Sequence, residues 1–292
     1  VNVARAPGEL EQRLRAVAIG TFDGVHLGHR AVIRTAVEAG PTPTVVTFHP
    51  HPREVLGNRV ALLSTLERRL ELLAELGVEE VLVVEFTAEV AALEPDAFVR
   101  DYLQAIGAEL VVAGADFRFG RHRSGGLELL ERLGLAVREA PHVDGISSTL
   151  IRQLIADGDV RGAAPLLGRP PEVEGVVVSG DARGGTLGYP TANLRTDPSL
   201  LVPRYGIYVG EARGPRTEPH RAALSIGVNP HYGGQERRIE PYLLDFEGDL
   251  YGQRLVVELW QRLRDEAAFA SEAELVAQIA RDVDAARGAT RP

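Results

Sequence analysis

Two stretches of different pattern predict an α/β domain followed by a β domain with a C-terminal helix. In the first, up to about residue 165, short β-branched apolar runs alternate with amphipathic helical spacings. In the second, strand-like segments follow one another between Gly, Pro and Asn turns. The length of 292 residues, about twice a common domain size of ~150, agrees with two domains.

The expected strands of the first part are 16–19, 44–48, 81–84 and 110–113, each with the length and β-branched content of a buried strand. Helical spacings at 31–39, 66–76 and 95–106 fall between them. Strand–helix alternation in this order predicts a parallel sheet covered on both faces, with ligands at the carboxyl ends of its strands. Leu167-Gly168-Arg169-Pro170-Pro171 stops any helix and marks a linker, giving domains 1–167 and 168–292. Beyond it, strands are expected at 175–179, 206–211, 222–226, 242–246 and 255–259, the pattern of a small antiparallel barrel or sandwich. A last helix runs from 271 to about 287, opened by Ser271 and Glu274 at capping-box spacing.

Composition narrows the chemistry. Apolar residues at 45% and charged residues at 25% are the balance of a globular chain. A net charge of −9 argues against binding long nucleic acid through bulk positive charge. No apolar run reaches the ~18 residues of a membrane span, so no membrane partner is expected and the expected location is the cytoplasm. Every basic residue apart from histidine is arginine, which excludes a lysine Schiff base and a Walker-type phosphate lysine. Cysteine is absent, which removes thiol nucleophiles, thiolate zinc sites, iron–sulfur clusters and disulfides. The chemistry therefore rests on His, Asp, Glu, Ser, Thr, Asn, Arg and backbone amides.

The first constellation is Gly20-Thr21-Phe22-Asp23-Gly24-Val25-His26-Leu27-Gly28-His29, between a strand and a helical segment. Two histidines three apart at a helix start share a face where free N–H groups and the helix dipole favour an anion. Gly28 between them lets a phosphate approach the backbone. A strand-to-helix turn carrying two surface histidines would look the same in isolation. The whole string, however, resembles the GxFDGxHxGH signature of the HxGH nucleotidyltransferases, in particular the adenylyltransferase half of the bifunctional riboflavin kinase/FMN adenylyltransferases. Three further segments resemble the same family in order: Thr47-Phe48-His49-Pro50-His51-Pro52, Gly114-Ala115-Asp116-Phe117-Arg118-Phe119-Gly120, and Ile146-Ser147-Ser148-Thr149-Leu150-Ile151-Arg152.

That resemblance implies a Rossmann-like N-terminal domain in which Gly20, Phe22, Asp23, Gly24 and Gly28 line the ATP site. It makes His26, His29 and Arg152 catalytic contacts to the phosphates, with Ser147, Ser148 and Thr149 closing on the triphosphate. Read alone, Ser147 or Ser148 is equally a helix cap. Pro50, Pro52, Asp116, Phe117 and Phe119 are implied to hold the flavin, although two alternating Phe are also what a core uses. Leu150 stands where many relatives carry Arg; with the neighbouring Arg152 present, weaker ATP binding is the most that is expected to follow.

The second constellation runs from Gly175 to Leu194 and is rich in glycine around a strand and turn. Such a loop brings amide groups onto phosphates, and it equally describes a glycine-bulged barrel corner. Thr191 and Asn193 alternate, so on a strand they share a face, and their neutral oxygens suit Mg²⁺ that already carries nucleotide phosphates. Gly188-Tyr189-Pro190-Thr191-Ala192-Asn193 resembles the PTAN motif of riboflavin kinases. Gly206-Ile207-Tyr208, Ser225-Ile226-Gly227-Val228-Asn229-Pro230, Ile239-Glu240 before Leu243-Leu244-Asp245-Phe246, and Arg262-Leu263-Arg264-Asp265-Glu266 follow in that family's order.

The likeness implies a barrel kinase with Gly184, Gly188 and Pro190 at ATP, Thr191 and Asn193 at the metal, and Arg262 and Arg264 at the flavin. Glu240 is implied to be the base that takes the proton of the ribityl hydroxyl. Asp245, an odd number of residues away on the expected strand, should face the other side of the sheet. Gly185 and Tyr242 depart from the usual Arg or Lys and His of relatives. The expected reactions are phosphorylation of riboflavin by Mg-ATP to FMN and ADP, then adenylylation of FMN to FAD and pyrophosphate. Self-association is left open by the sequence.

Overall fold

The computed structural model describes residues 1–180, 183–215, 217–228 and 237–292. Asp181, Ala182, Asn229 and Pro230 of the motifs above lie outside the described residues. The elements in chain order are β1 (Asn2–Ala4), β2 (Arg15–Ile19), α1 (Leu27–Val37), β3 (Thr42–His49), α2 (Pro52–Val55), α3 (Leu66–Glu75), β4 (Glu80–Glu85), α4 (Ala88–Ala91), α5 (Pro95–Phe98), β5 (Ala108–Ala113), α6 (Leu127–Arg132), β6 (Ala136–Glu139), α7 (Ser148–Ala156) and α8 (Val160–Leu167). They continue with β7 (Glu172–Val178), α9 (Arg183–Thr186), β8 (Asn193–Arg195), β9 (Gly206–Gly214), β10 (Thr217–Val228), β11 (Arg237–Leu243), β12 (Arg254–Arg264) and α10 (Glu272–Gly288). The chain divides into two compact units, Val1–Ser148 and Thr149–Pro292.

The first unit holds a parallel sheet of order β1-β4-β3-β2-β5-β6. Successive side chains of a strand point to opposite faces, and here each face has its own core. Val17 and Ile19 of β2 join one cluster with Val46, Leu82, Val84 and Val111. Ala16 and Ala18 join another with Val45, Val81, Val83, Ile33 and Leu73. Both faces are thus covered, as the alternation of strands and helices predicts. Two short edge strands, β1 and β6, extend the four expected ones. The expected helix at 31–39 begins earlier, at Leu27, because His26 caps it with its ring. The expected helix at 95–106 is α5 followed by a π-helical segment, Val99–Gln104.

In the second unit the sheet order is β11-β10-β9-β12-β7-β8, all antiparallel. Ala192 N–H donates to the Pro241 carbonyl at 2.9 Å, joining the approach to β8 with β11 and so closing the sheet toward a barrel. Its interior is filled by Val173, Val177, Tyr208, Leu224, Ile226, Ile239, Leu255 and Val257, with Val160 of α8 among them. Outside, Val283 and Ala286 of α10 pack with Val209 and Leu244. Asp282 holds the Arg264 guanidinium with contacts of 2.7 to 3.2 Å, fixing α10 to β12. Ser271 caps α10 by accepting from Glu274 N–H at 3.2 Å, while the Glu274 carboxylate accepts from Ala270 N–H at 3.1 Å.

One expected strand is misplaced. The apolar run at 242–246 reads as a strand, but β11 ends at Leu243 and Asp245 turns the chain with φ 57°. Arg287 grips the Asp245 carboxylate in a fork of two 2.7 Å bonds, so Asp245 is off the sheet and faces neither side of it. Glu240, in contrast, lies inside β11 opposite Ser225.

Candidate active sites

The loop at the carboxyl end of β2 is held in an unusual backbone shape. Phe22, Gly24 and Val25 all have positive φ, at 48°, 75° and 41°, a conformation that a β-branched residue adopts only under constraint. The constraint is local. Asp23, 1% exposed, accepts from Leu63 N–H at 2.9 and 3.1 Å and from Ser64 N–H at 3.2 Å. Gly24 N–H donates to Ser64 Oγ at 3.1 Å. A side chain at Gly24 would stand 2.7 Å from the Leu63 Cβ, so only glycine fits. The carboxylate of Asp23 shapes the loop through these backbone amides.

His26 ends the loop as the N-cap of α1, where its Nδ1 accepts from His29 N–H at 3.2 Å. With Nδ1 accepting, the proton of the neutral ring sits on Nε2, which donates to Ser148 Oγ at 3.2 Å. The His26 and His29 rings stack at 3.5 Å between centroids, and the Phe22 ring meets His29 edge-on at 5.4 Å. Gly20 sits 3.1 Å under the Phe22 ring by its missing Cβ, and Gly28 3.3 Å from the His26 ring. The structure thus brings together Gly20, Phe22, Asp23, Gly24, His26, Gly28, His29 and Ser148 around one helix start. Ser147 is exposed beside Ser148; Thr149 and Arg152 follow on α7, exposed and half-buried.

The expected flavin residues divide. Pro50 is exposed at the end of β3, and Pro52 starts α2 behind the His51 cap. Asp116 is exposed, and Phe117 is half-buried, stacking on Phe119 at 5.6 Å. Phe119 itself is 7% exposed and belongs to the core with Phe98. It supports Phe117 from below.

In the barrel, Ile239, Pro241 and Leu243 are buried, so Glu240 and Tyr242 point the other way. Ala192, paired with Pro241, packs toward the same interior. Thr191 and Asn193 therefore share the outer face with Glu240 and Tyr242, and Tyr189 meets Tyr242 edge-on at 5.4 Å. Arg238 Nη1 lies 3.5 Å from Glu240 Oε1. Two glycines of the turn beside them, Gly180 and Gly184, leave no room for side chains. A Cβ on Gly180 would stand 2.1 Å from the Asn193 amide, and one on Gly184 would stand 2.3 Å from the Tyr189 carbonyl and 3.2 Å from Thr191 Oγ1. Gly188 turns the chain at φ 84°, one residue before Tyr189-Pro190. Gly185 has open space around it.

Arg262 and Arg264 are engaged within the fold. Arg262 donates to Asp265 and to the Tyr205 carbonyl and lies over the Tyr208 ring, and Arg264 is held by Asp282. Burial alone would raise the Tyr208 phenol most, and it does raise it, against the neighbouring Arg262. Among the described residues no group of three His, Cys, Asp or Glu could hold a metal ion. Thr191 and Asn193, two neutral oxygen donors against glycines, fit a magnesium ion that arrives with nucleotide phosphates and keeps few protein ligands.

Residues that motif reading passes over include Leu63, Ser64 and Arg69. Leu63 and Ser64 act chiefly through backbone amides and a hydroxyl, which leave no pattern. Arg69 does leave one, because it falls on the buried stripe of α3 with Leu72 and Leu73.

Comparison with known proteins agrees with both halves. A family model described as FAD synthetase matches residues 9–150, and one described as riboflavin kinase matches residues 167–290. A Listeria monocytogenes protein named bifunctional riboflavin kinase/FMN adenylyltransferase is 38% identical over 92% of this chain and 90% of its own length. The Escherichia coli protein of the same name is 38% identical over 100% of this chain and 97% of its own. A solved Streptococcus pneumoniae structure described as a macrolide-efflux protein superposes with a TM-score of 0.86 at 32% identity, covering 99% of each chain. Among the described residues no helix here is long and apolar enough to cross a membrane. With both halves matched in order and near full-length relatives carrying the same pair of activities in their names, the chain belongs to the bifunctional riboflavin kinase/FMN adenylyltransferase family.

Proposed function

We propose that this protein makes FAD from riboflavin in two ATP-dependent steps, one in each unit. In the barrel, riboflavin is phosphorylated to FMN. Glu240 accepts the proton of the ribityl 5′-hydroxyl as its oxygen bonds to the γ-phosphorus of ATP and ADP leaves, a contribution of about 10²- to 10⁴-fold. Gly184, Gly188 and Pro190 shape the turn that receives the nucleotide. Thr191 and Asn193 would hold Mg²⁺, which when bound would neutralise phosphate charge. The observation that supports this reading most directly is the Ala192–Pro241 hydrogen bond, which seats Thr191, Asn193 and Glu240 on one face.

In the N-terminal unit, an FMN phosphate oxygen bonds to the α-phosphorus of a second ATP, the α–β bridge breaks, and pyrophosphate leaves. His26 and His29, with the backbone amides at the start of α1 and the Ser147 and Ser148 hydroxyls, receive the triphosphate and stabilise its charge. The phosphate role that the family likeness gives Thr149 and Arg152 is part of the same proposal. No covalent nucleophile is required, which suits a chain without Cys or Lys. Pro50, Pro52, Asp116 and Phe117 face the flavin in this reading. We place the reaction in the cytoplasm, where ATP is held.

Incubating the purified protein with riboflavin, ATP and Mg²⁺ and separating flavins over time tests the proposal. FMN should appear first and FAD after it. FMN without FAD would leave only the kinase standing, and absence of any product would turn the chain into a flavin-binding protein.

A further inference from the structure

Beneath the N-terminal site lies a buried positive charge that the two reactions do not use. Arg69 of α3 is 1% exposed. Its Nη1 donates to Thr47 Oγ1 at 3.4 Å and to the Phe48 carbonyl at 3.3 Å, both at the carboxyl end of β3. Thr47 Oγ1 in turn donates to the Thr21 carbonyl at 3.1 Å, in the loop that carries Asp23 and His26. Arg69 Nε is buried with no hydrogen-bond partner among the described residues. Burial presses the guanidinium below its ordinary pKa, opposed by Asp23 of the nucleotide loop and Glu54 of α2. Glu54 closes the cap of α2 by accepting from His51 N–H at 3.3 Å. The cation therefore bonds to the end of β3 leading to Pro50 and feels the charges of Asp23 in the loop 20–26 and of Glu54 in α2, three of the segments that bear or adjoin site residues.

A buried ion is weak evidence of stability, because an apolar side chain of similar volume often does as well or better in the same place. What a guanidinium does that leucine cannot is hold several polar backbone segments in one mutual arrangement. We propose that Arg69 is a positioning residue for adenylyl transfer, fixing the nucleotide loop and the flavin-bearing end of β3 relative to each other. In-line attack by one substrate on another is sensitive to such spacing, and an error of about 1 Å is enough to lose on the order of a hundredfold in rate. The inference rests on reading the N-terminal unit as the adenylyltransferase.

The test uses the full chain with Arg69→Met, measuring kcat and KM for ATP and FMN in FAD formation, riboflavin phosphorylation in the same sample, and thermal unfolding. The expected result is a kcat for FAD formation lowered about ten- to a hundredfold. KM should change less than about threefold, with phosphorylation and melting as in the parent. Thr47→Val, which cuts the same link, should lower kcat too, and the double variant should fall short of the product of the two losses. An Arg69→Met kcat within about twofold of the parent, or fully multiplicative losses in the double variant, overturns the inference. If Arg69→Met melts early, Arg69→Lys decides, because it keeps the charge without the fork; an unchanged kcat there also overturns it. A parent protein that makes no FAD from supplied FMN instead overturns the underlying reading, and so separates the two failures.

Discussion

At the scale of single residues, the two halves carry separable chemistry. Glu240→Gln removes the proposed base while keeping shape, so FMN formation should fall about 10²- to 10⁴-fold. Conversion of supplied FMN to FAD should survive, and chromatography of the flavins reads both. His29→Ala removes a ring stacked on His26 and met edge-on by Phe22. FAD formation should fall by a factor of about a hundred or more while riboflavin phosphorylation stays within about threefold; kinase loss in a folded His29→Ala protein would contradict the two-site reading. Both residues were legible in the sequence because they sit in motifs. Arg262 and Arg264 were equally legible, yet their guanidinium groups are engaged by Asp265 and Asp282, and only the packing of α10 shows the second partner.

At the scale of elements, glycine positions in the barrel turn are set by close approach rather than by φ alone. A Cβ at Gly184 would collide with the Tyr189 carbonyl, whereas one at Gly185 meets nothing within 4 Å. Gly184→Ala should therefore open the turn and lower kinase kcat/KM about tenfold or more, while Gly185→Ala leaves it unchanged; equal effects would refute this account. The sequence shows five clustered glycines without saying which are obligatory, because the obstructing atoms belong to distant residues, as Asn193 does for Gly180 and Arg195 for Gly175. The strand expected at 242–246 failed for a similar reason. Apolar spacing locates Leu243 and Leu244, but the chain turns at Asp245, whose carboxylate is held by Arg287 on α10, a partner far away in sequence.

At the scale of the molecule, the end of the chain is part of the barrel unit. Arg291 forks onto Glu258 with two 2.8 Å bonds, Trp260 Nε1 donates to the same carboxylate at 2.9 Å, and Arg213 adds a 3.1 Å contact. Burial by itself raises the Glu258 carboxyl, and the bonds from Arg291 and Trp260 with the charge of Arg213 outweigh it, holding it below the usual carboxylate value. A folded-state pKa below the unfolded one contributes stability that is complete above the unfolded value. It disappears as pH falls through the folded one. Barrel stability should therefore be flat above about pH 5 and decline below it. Arg291→Ala should lower it by about 1–3 kcal/mol and flatten the decline, as pH-dependent denaturation would show. A parallel decline in both proteins would exclude Glu258 as its source.

The order of apolar runs determined that an α/β unit precedes an antiparallel one, and motif spacing singled out the residues proposed to carry chemistry, because both are properties of neighbours along the chain. What only the tertiary structure decided is how distant segments share a face or a charge. Thr191 and Asn193 join Glu240 through the Ala192–Pro241 bond, His26 meets Ser148, and Arg69 of α3 reaches the loop after β2 through Thr47 of β3. Hydrogen bonds and burial act through space, so no local pattern specifies those partners.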